Sequence, residues 1–340
     1  MDRIITFGEL MLRLSPEGYE RIVQANKFNV TFGGGEANVA VSLANYGLDA
    51  SFVSKIPEGE IGQSAVNSLR RFGVDIKNIV RGGDRLGIYF LEKGASQRPS
   101  KVIYDRAHSA IAEASPSDFD WDTIFKDVRW FHFTGITPAL SDSAAEICLN
   151  AVRAAKKHGV TVSCDLNYRK KLWTREKAGR IMDELCQNVD VLIANEEDAA
   201  DVFGITSEGT SVTSGVVNTE GYKDVARKLT ERFGFKYVAI TLRTSLSASD
   251  NKWAAMLYDG KNYYLSKSYN VHIVDRVGGG DSFGAGLIYS IIKGKNSQDA
   301  VEFATAASCL KHSIEGDYNM VSAEEVEKLA GGDGSGRVQR

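Results

Sequence analysis

Three consecutive glycines and an aspartate, Gly278-Gly279-Gly280-Asp281, stand between a polar turn opening at Asp275 and an apolar run from Phe283 to Ile292. Glycines let backbone N–H groups approach an anion with no Cβ in the way. A helix starting there adds unpaired donors and the positive end of its dipole. The aspartate stands where a nucleophilic hydroxyl could be oriented. A Gly-rich turn capped by Asp has the same spelling, so the rest of the chain must decide between the two.

A second glycine cluster, Gly33-Gly34-Gly35-Glu36-Ala37-Asn38, also leads into a helical pattern ending near Gly47. It approaches a dinucleotide fingerprint, but Asn38 replaces the third glycine and the segment follows a hairpin-like region instead of opening a βαβ unit. Glycine backbone and the Asn38 amide suit hydroxyl groups better; a simple tight turn is the alternative. The chain has no G-x-x-x-x-G-K-[ST] and no H-R-D or D-F-G set, so phosphate handling, if present, uses neither a P-loop nor the protein-kinase scaffold.

The elements that must position these groups alternate between strand and helix, which predicts an α/β fold with a mainly parallel central sheet flanked by helices. Apolar runs at 4–7, 50–54, 130–134, 160–164, 189–194 and 237–241 read as strands buried on both faces, and 144–158 and 220–233 as amphipathic helices. Ligands in such sheets bind beyond the carboxyl ends of the strands. There the chain places Asp165-Leu-Asn167-Tyr-Arg169, Asn195-Glu196-Glu197-Asp198 and Leu242-Arg243, while the glycine loop follows an expected strand at 271–274. Two early regions, about 11–32 and 86–106, read as β-hairpins forming a small sheet outside the main one, either a lid or a dimer surface. Thus residues 1–330 are expected as one domain, with a Ser/Thr/Gly-rich surface loop at 206–221 and a flexible tail at 331–340.

Bulk composition narrows the partners. The 340 residues are 43% hydrophobic and 25% charged, with net charge −3 and pI near 6.0. That is ordinary globular composition with no general attraction to nucleic acid or anionic membrane. The four cysteines are widely spaced without a C-x-x-C pair, no histidine pair has zinc-site spacing, and no stretch resembles a signal peptide or membrane span. A cytoplasmic protein acting on small molecules is expected.

With glycine motifs at both ends of an α/β chain and hairpins inserted early, the sequence resembles the ribokinase-like carbohydrate kinases of the PfkB family over nearly its full length. The signatures fall at Gly33–Gly47 and Asp275–Gly286. The spelling Asp-Arg-Val-Gly-Gly-Gly-Asp, where Asp-Thr-Thr-Gly-Ala-Gly-Asp is commoner, together with Asp-Leu-Asn-Tyr-Arg, resembles the branch acting on 2-keto-3-deoxygluconate. The resemblance implies a ribokinase-like fold and ATP-dependent phosphorylation of a terminal sugar hydroxyl. Asp281 would be the base and Gly278, Gly279 and Gly280 the anion hole. It places Gly34, Gly35, Asn38, Tyr89, Tyr104, Arg106, Arg169 and Asp317 around the sugar. Asn167, Asn195, Thr241, Arg243 and Thr305 fall toward the nucleotide, and Asp198 toward Mg²⁺ through water. Asp198 stands where the family's N-x-x-E motif has Glu, and the loop after Thr241 lacks the usual glycines. Arg243 is open to reading as a solvated arginine, Thr305 as helix packing, Asp317 as a turn aspartate, and the tyrosines as packing in the core of the lid or at a dimer contact.

Arg106 and Arg169 argue for an acidic sugar, since a guanidinium binds a carboxylate in bidentate fashion and a neutral hexose needs no such pair. A ketose kinase such as a fructokinase is the alternative within the fold, and a non-catalytic sugar-binding regulator the alternative outside enzymes. A homodimer through the edge of the small sheet is expected. A monovalent-cation requirement stays open.

Overall fold

The computed structural model describes residues 2–195, 197–207 and 219–336. Most of the segment expected as a surface loop, and the end of the tail, lie outside them. Among the described residues fourteen strands run β1 (Arg3–Phe7), β2 (Met11–Ser15), β3 (Asn29–Gly33), β4 (Asp49–Ile56), β5 (Ile79–Arg81), β6 (Gly87–Glu92), β7 (Lys101–Asp105), β8 (Trp130–Thr134), β9 (Thr161–Asp165), β10 (Val191–Ala194), β11 (Tyr237–Ser245), β12 (Asp250–Tyr258), β13 (Tyr263–Leu265) and β14 (Tyr269–His272). The α-helices are α1 (Gly35–Asn45), α2 (Gly59–Arg70), α3 (Trp121–Ile124), α4 (Asp142–Lys157), α5 (Arg175–Cys186), α6 (Asp198–Phe203), α7 (Thr219–Phe233), α8 (Gly279–Ile292), α9 (Ser297–Lys311) and α10 (Ala323–Ala330).

The main sheet has the order β13-β12-β11-β10-β9-β8-β1-β4-β5, with β14 also paired to β12. From β11 through β5 the pairing is parallel; β12, β13 and β14 are antiparallel. Both faces are covered, which is why the strands read as unbroken apolar runs. In β1, Ile4 joins one core cluster and Ile5 the other; in β10, Val191 and Ile193 face one side and Leu192 and Ala194 the other. From β1 the chain adds β4 and β5 on one side and then β8, β9 and β10 on the other, so the strand order reverses between β1 and β8, the kind of switch point where open α/β sheets form a crevice.

The two expected hairpins form a separate four-stranded sheet, β3-β2-β6-β7. Its inner pair, β2 and β6, is parallel and each outer pair antiparallel. One expected strand needs correcting. The segment placed at 271–274 is β14, Tyr269–His272, and it runs antiparallel on β12. Beyond it, Val274 leaves the ladder and donates its N–H to the His312 carbonyl at 2.8 Å. The glycine loop is therefore hung from the end of α9 as well as from the sheet. Among the described residues no helix is long and apolar enough to cross a membrane.

Candidate active site

A cleft of about 380 Å³ lies between the carboxyl ends of the parallel strands, the glycine loop and the small sheet. Gly278 caps α8 in the left-handed region, φ 84°, and a Cβ there would come within 2.1 Å of the Asp317 carbonyl. Only glycine satisfies both conditions. The first intrahelical bond runs from the Ser282 N–H to the Gly278 carbonyl at 2.9 Å. The N–H groups of Gly280 and Asp281 have no partner among the described residues, and a Cβ at Gly280 would meet open space. Two free donors at a helix N-terminus beside an open volume can receive an anion.

Asp281 is partly exposed to the cleft. Its Oδ2 accepts a 2.7 Å hydrogen bond from Asn38 Nδ2, while Asn38 Oδ1 accepts from the Gly34 N–H at 3.3 Å. The two glycine motifs, 243 residues apart, are thus joined through one amide. Gly34 packs so tightly that a Cβ would lie 1.9 Å from the Glu9 carbonyl oxygen. Loss of solvent pushes the Asp281 carboxyl up to about 6; the Asn38 bond pulls it down, nearby Asp317 pushes it further up, and Arg169 pulls it down. Asn38 therefore orients Asp281 as well as lining the cleft.

The small sheet supplies the opposite wall. Tyr89 and Tyr104 are register partners on β6 and β7, with ring centroids 5.9 Å apart. Tyr89 is buried and donates its hydroxyl to Asp317 Oδ2 at 2.5 Å, while Tyr104 is 41% exposed. Arg13, register partner of Tyr89 on β2, bonds Asp317 Oδ1 at 2.7 Å and Asp275 Oδ2 at 2.5 Å, and is only 2% exposed. Both Asp317 oxygens are thus engaged within the protein.

Arg106 is engaged too. Its Nε lies 2.7 Å from Glu9 Oε2, its terminal nitrogen also bonds that oxygen, and Ser109 donates to Glu9 Oε1 at 2.6 Å. Arg169 differs: it donates to the Tyr168 carbonyl at 3.3 Å and has no carboxylate at ion-pair distance among the described residues. The expected pair of free arginines is therefore one neutralised cation and one open one. From Arg106 and Arg169 the cleft widens into a groove between β7 and residues 168–175.

Toward the far end, Asn167 lines the cleft in a left-handed conformation, φ 38°. Asn195 accepts at Oδ1 from the N–H groups of Glu197 and Asp198, so its side chain closes the turn that leads into α6. Asp198 accepts from the N–H of Tyr168 at 3.1 Å and of Asn195 at 3.0 Å, clamping the loops after β9 and β10. Burial raises its carboxyl. Asp165 is pushed well up by desolvation and by neighbouring Asp198 and Asp281. Thr241 and the exposed Arg243 line the cleft from β11. Thr305 does not: it is fully buried in α9 and donates to the Val301 carbonyl at 2.7 Å, the helix-packing alternative.

Three residues that line the cleft, Asn251, Trp253 and Arg276, and two buried behind its wall, Glu9 and Arg13, carried no assignment from the sequence. Arg276 had a legible signal, the departure from Asp-Thr-Thr in the motif. The others had none, because their partners are distant in the chain or their strand pairing is antiparallel at the sheet's end.

Residues 1–324 match the family model described as pfkB family carbohydrate kinase. The chain belongs to that family. A 2-dehydro-3-deoxygalactonokinase of Haloferax volcanii is 34% identical over 333 residues, 97% of each chain. The crystal structure of a 2-dehydro-3-deoxygluconokinase from Thermotoga maritima is 54% identical, superposes with TM-score 0.94, and covers 97% of this chain and 98% of its own. A ribokinase-type structure from E. coli, solved in complex with ATP and Mg²⁺, shares the fold at TM-score 0.80 and 21% identity, covering 97% of this chain and 99% of its own.

In a carbohydrate kinase of this family the chemistry is phosphoryl transfer to a hydroxyl, which demands alignment and charge neutralisation more than covalent participation. The cleft offers the parts for this: N–H donors without partners among the described residues at the start of α8, a carboxylate held by an amide, and guanidinium groups with no described carboxylate at ion-pair distance on its walls.

Proposed function

We propose that the chain transfers the γ-phosphoryl group of ATP to the terminal hydroxyl of 2-keto-3-deoxygluconate, giving 2-keto-3-deoxy-6-phosphogluconate and ADP. One observation carries the reading: Asp281, fixed by Asn38, stands on the first turn of α8 beside two N–H donors without partners among the described residues, with Arg169 at the same cleft and no described carboxylate at ion-pair distance from it. The sugar hydroxyl oxygen forms the new P–O bond as the bond to the β-phosphate bridging oxygen breaks, and its proton passes to the Asp281 carboxylate. The N–H groups of Gly280 and Asp281 receive charge on the transferring group.

Arg169 holds the sugar carboxylate. Arg106, neutralised by Glu9, offers its remaining N–H groups to neutral oxygens and shapes the wall with Tyr89 and Tyr104. Asp317 acts here through Tyr89 and Arg13. Among the described residues no group of three or more His, Cys, Asp or Glu side chains is arranged to hold a metal. Mg²⁺, when bound, would be held through nucleotide phosphates and water, as the ion commonly is. Each Asp198 oxygen takes one backbone N–H and keeps acceptor capacity for a metal-bound water. Bound Mg²⁺ supplies neutralisation of phosphate charge.

The relative from Haloferax volcanii favours a second reading, in which the C4 epimer, 2-keto-3-deoxygalactonate, is also used. Both sugars present the same carboxylate, keto group and terminal hydroxyl. The small sheet acts as a lid, and its edge strand β7, with Ile103 and Tyr104 exposed, forms a homodimer contact. An ADP-release assay over both epimers, fructose and ribose tests the substrate class. Turnover of at least one acid epimer far above the neutral sugars is expected; faster fructose turnover overturns the acid-sugar reading.

A further inference from the structure

Arg276 follows Asp275 in the loop feeding α8, and its side chain lines the cleft with Arg243. Arg13 and Arg106 are bonded to buried carboxylates. Arg276 and Arg243 have no carboxylate at ion-pair distance among the described residues. Arg276 makes one hydrogen bond, to the Ala248 carbonyl at 3.0 Å, and its Nε is buried without a partner. Burial and then the proximity of Arg243 hold its guanidinium below the usual arginine range, so the two cations act on each other.

The same wall carries two more unsatisfied atoms. Asn251 Oδ1 and Trp253 Nε1 lack partners although the residues are 2% and 7% exposed. A half-buried cation beside a second cation, and buried polar atoms without partners, each cost free energy, which a bound polyanion and its water would offset. Planar guanidinium groups suit phosphate oxygens in fork geometry.

We infer that Arg276 and Arg243 form a two-guanidinium seat for the polyphosphate of the donor nucleotide, and that Arg276 transmits its occupancy to the small sheet. The seat rests on the phosphoryl-transfer reading above. It leaves the N–H groups of Gly280 and Asp281 to the transferring phosphoryl and takes the phosphates that stay with the nucleotide. The connection to the small sheet is direct. Ala248, whose carbonyl receives Arg276, donates its own N–H to the Ser96 carbonyl at 2.7 Å, and the Ser96 N–H donates to Ser249 Oγ at 3.0 Å. Ser96 lies in the loop between β6 and β7. Pulling Arg276 onto a phosphate therefore shifts or tightens the segment against which that loop is hydrogen-bonded.

The test is calorimetric titration of inorganic tripolyphosphate into the full chain without sugar, with hydrogen exchange of residues 94–99 followed in parallel. Arg276→Ala is expected to weaken tripolyphosphate at least tenfold and raise KM for ATP comparably, leaving KM for the acid sugar within twofold. Arg276→Lys should recover only part of the loss. Arg243→Ala, at an exposed side chain with no partner among the described residues to disturb, should weaken tripolyphosphate by a similar factor. Tripolyphosphate should slow exchange at 94–99 in the wild type but not in Arg276→Ala. Wild-type tripolyphosphate affinity in either alanine variant, a larger effect on sugar KM than on ATP KM, or ligand-independent exchange in the wild type each overturns the inference. If the wild type phosphorylates no sugar acid yet loses tripolyphosphate on Arg276→Ala, the functional reading fails while the seat stands.

Discussion

Along the small-sheet wall of the cleft, Arg13, Arg106, Glu9, Asp317 and Tyr89 are bonded to one another in two closed networks. Along the glycine-loop and β11–β12 wall, among the described residues, Arg243 stands without a partner, Arg276 with one backbone bond, and Asn251 and Trp253 with orphaned atoms. The first wall is finished within the protein; the second is completed by something charged. A closed network fixes shape, because every member is held before ligand arrives. An open one spends its unfavourable electrostatics on binding. Arg169 is the exception on the sugar side, and in the proposed function it takes the sugar's one charged group.

The sharpest way to break this contrast is at the reacting centre between the walls. Asp281→Asn should lower kcat by about 10³-fold, within the range for loss of a general base, while sugar affinity stays near wild type. A drop in affinity with kcat preserved would make Asp281 a binding group. Next in size is the closed wall itself. Arg13→Met leaves the Asp275 and Asp317 carboxylates buried without their cation, and should cost about 3–5 kcal/mol of stability by chemical denaturation. An unchanged midpoint would mean the network is dispensable.

Smaller effects sharpen the division. Arg169→Ala should raise KM for the acid sugar by roughly 10–100-fold, the size of a lost charge-assisted hydrogen-bond pair, without moving KM for ATP. Equal shifts in both would place Arg169 on nucleotide phosphate. The pH dependence is milder. With the Asp281 carboxyl raised to about 6, kcat should rise as pH climbs through 6 and differ roughly tenfold between pH 5 and 7. The folded value lies above the unfolded value of 3.8, so ionising this carboxyl opposes folding. The wild type loses that increment of stability as pH rises from about 4 through 6. Asp281→Asn should therefore melt higher than wild type above pH 6, with the gap closing below pH 4.

Much of the fold was legible because strands buried on both faces write themselves as apolar runs with polar ends, as at Trp130–Thr134 and Val191–Ala194. The hairpins of the small sheet were legible through their turns. The strand before the glycine loop was misplaced because β14 pairs with antiparallel β12, and no local period distinguishes that from a parallel strand. Within the cleft, the positions of Gly278–Asp281, Asn38 and Arg169 followed from motifs and strand ends.

What stayed hidden was pairing. Nothing near Arg13 announces carboxylates 262 and 304 residues away, and nothing near Arg106 announces Glu9. Two arginines that looked equivalent in the sequence are electrostatically different for that reason. Thr305 misled in the opposite way: its hydroxyl is satisfied one turn back in its own helix, an option open to any helical threonine.

The most direct test is phosphorus NMR of ATP incubated with 2-keto-3-deoxygluconate, Mg²⁺ and either the wild type or Asp281→Asn. The wild type should give a phosphomonoester at C6 and ADP in equal amounts, and the variant should give neither on the same timescale while still binding the sugar. A phosphate at another carbon, ATP hydrolysis without sugar phosphate, or near-normal product from Asp281→Asn would contradict the account.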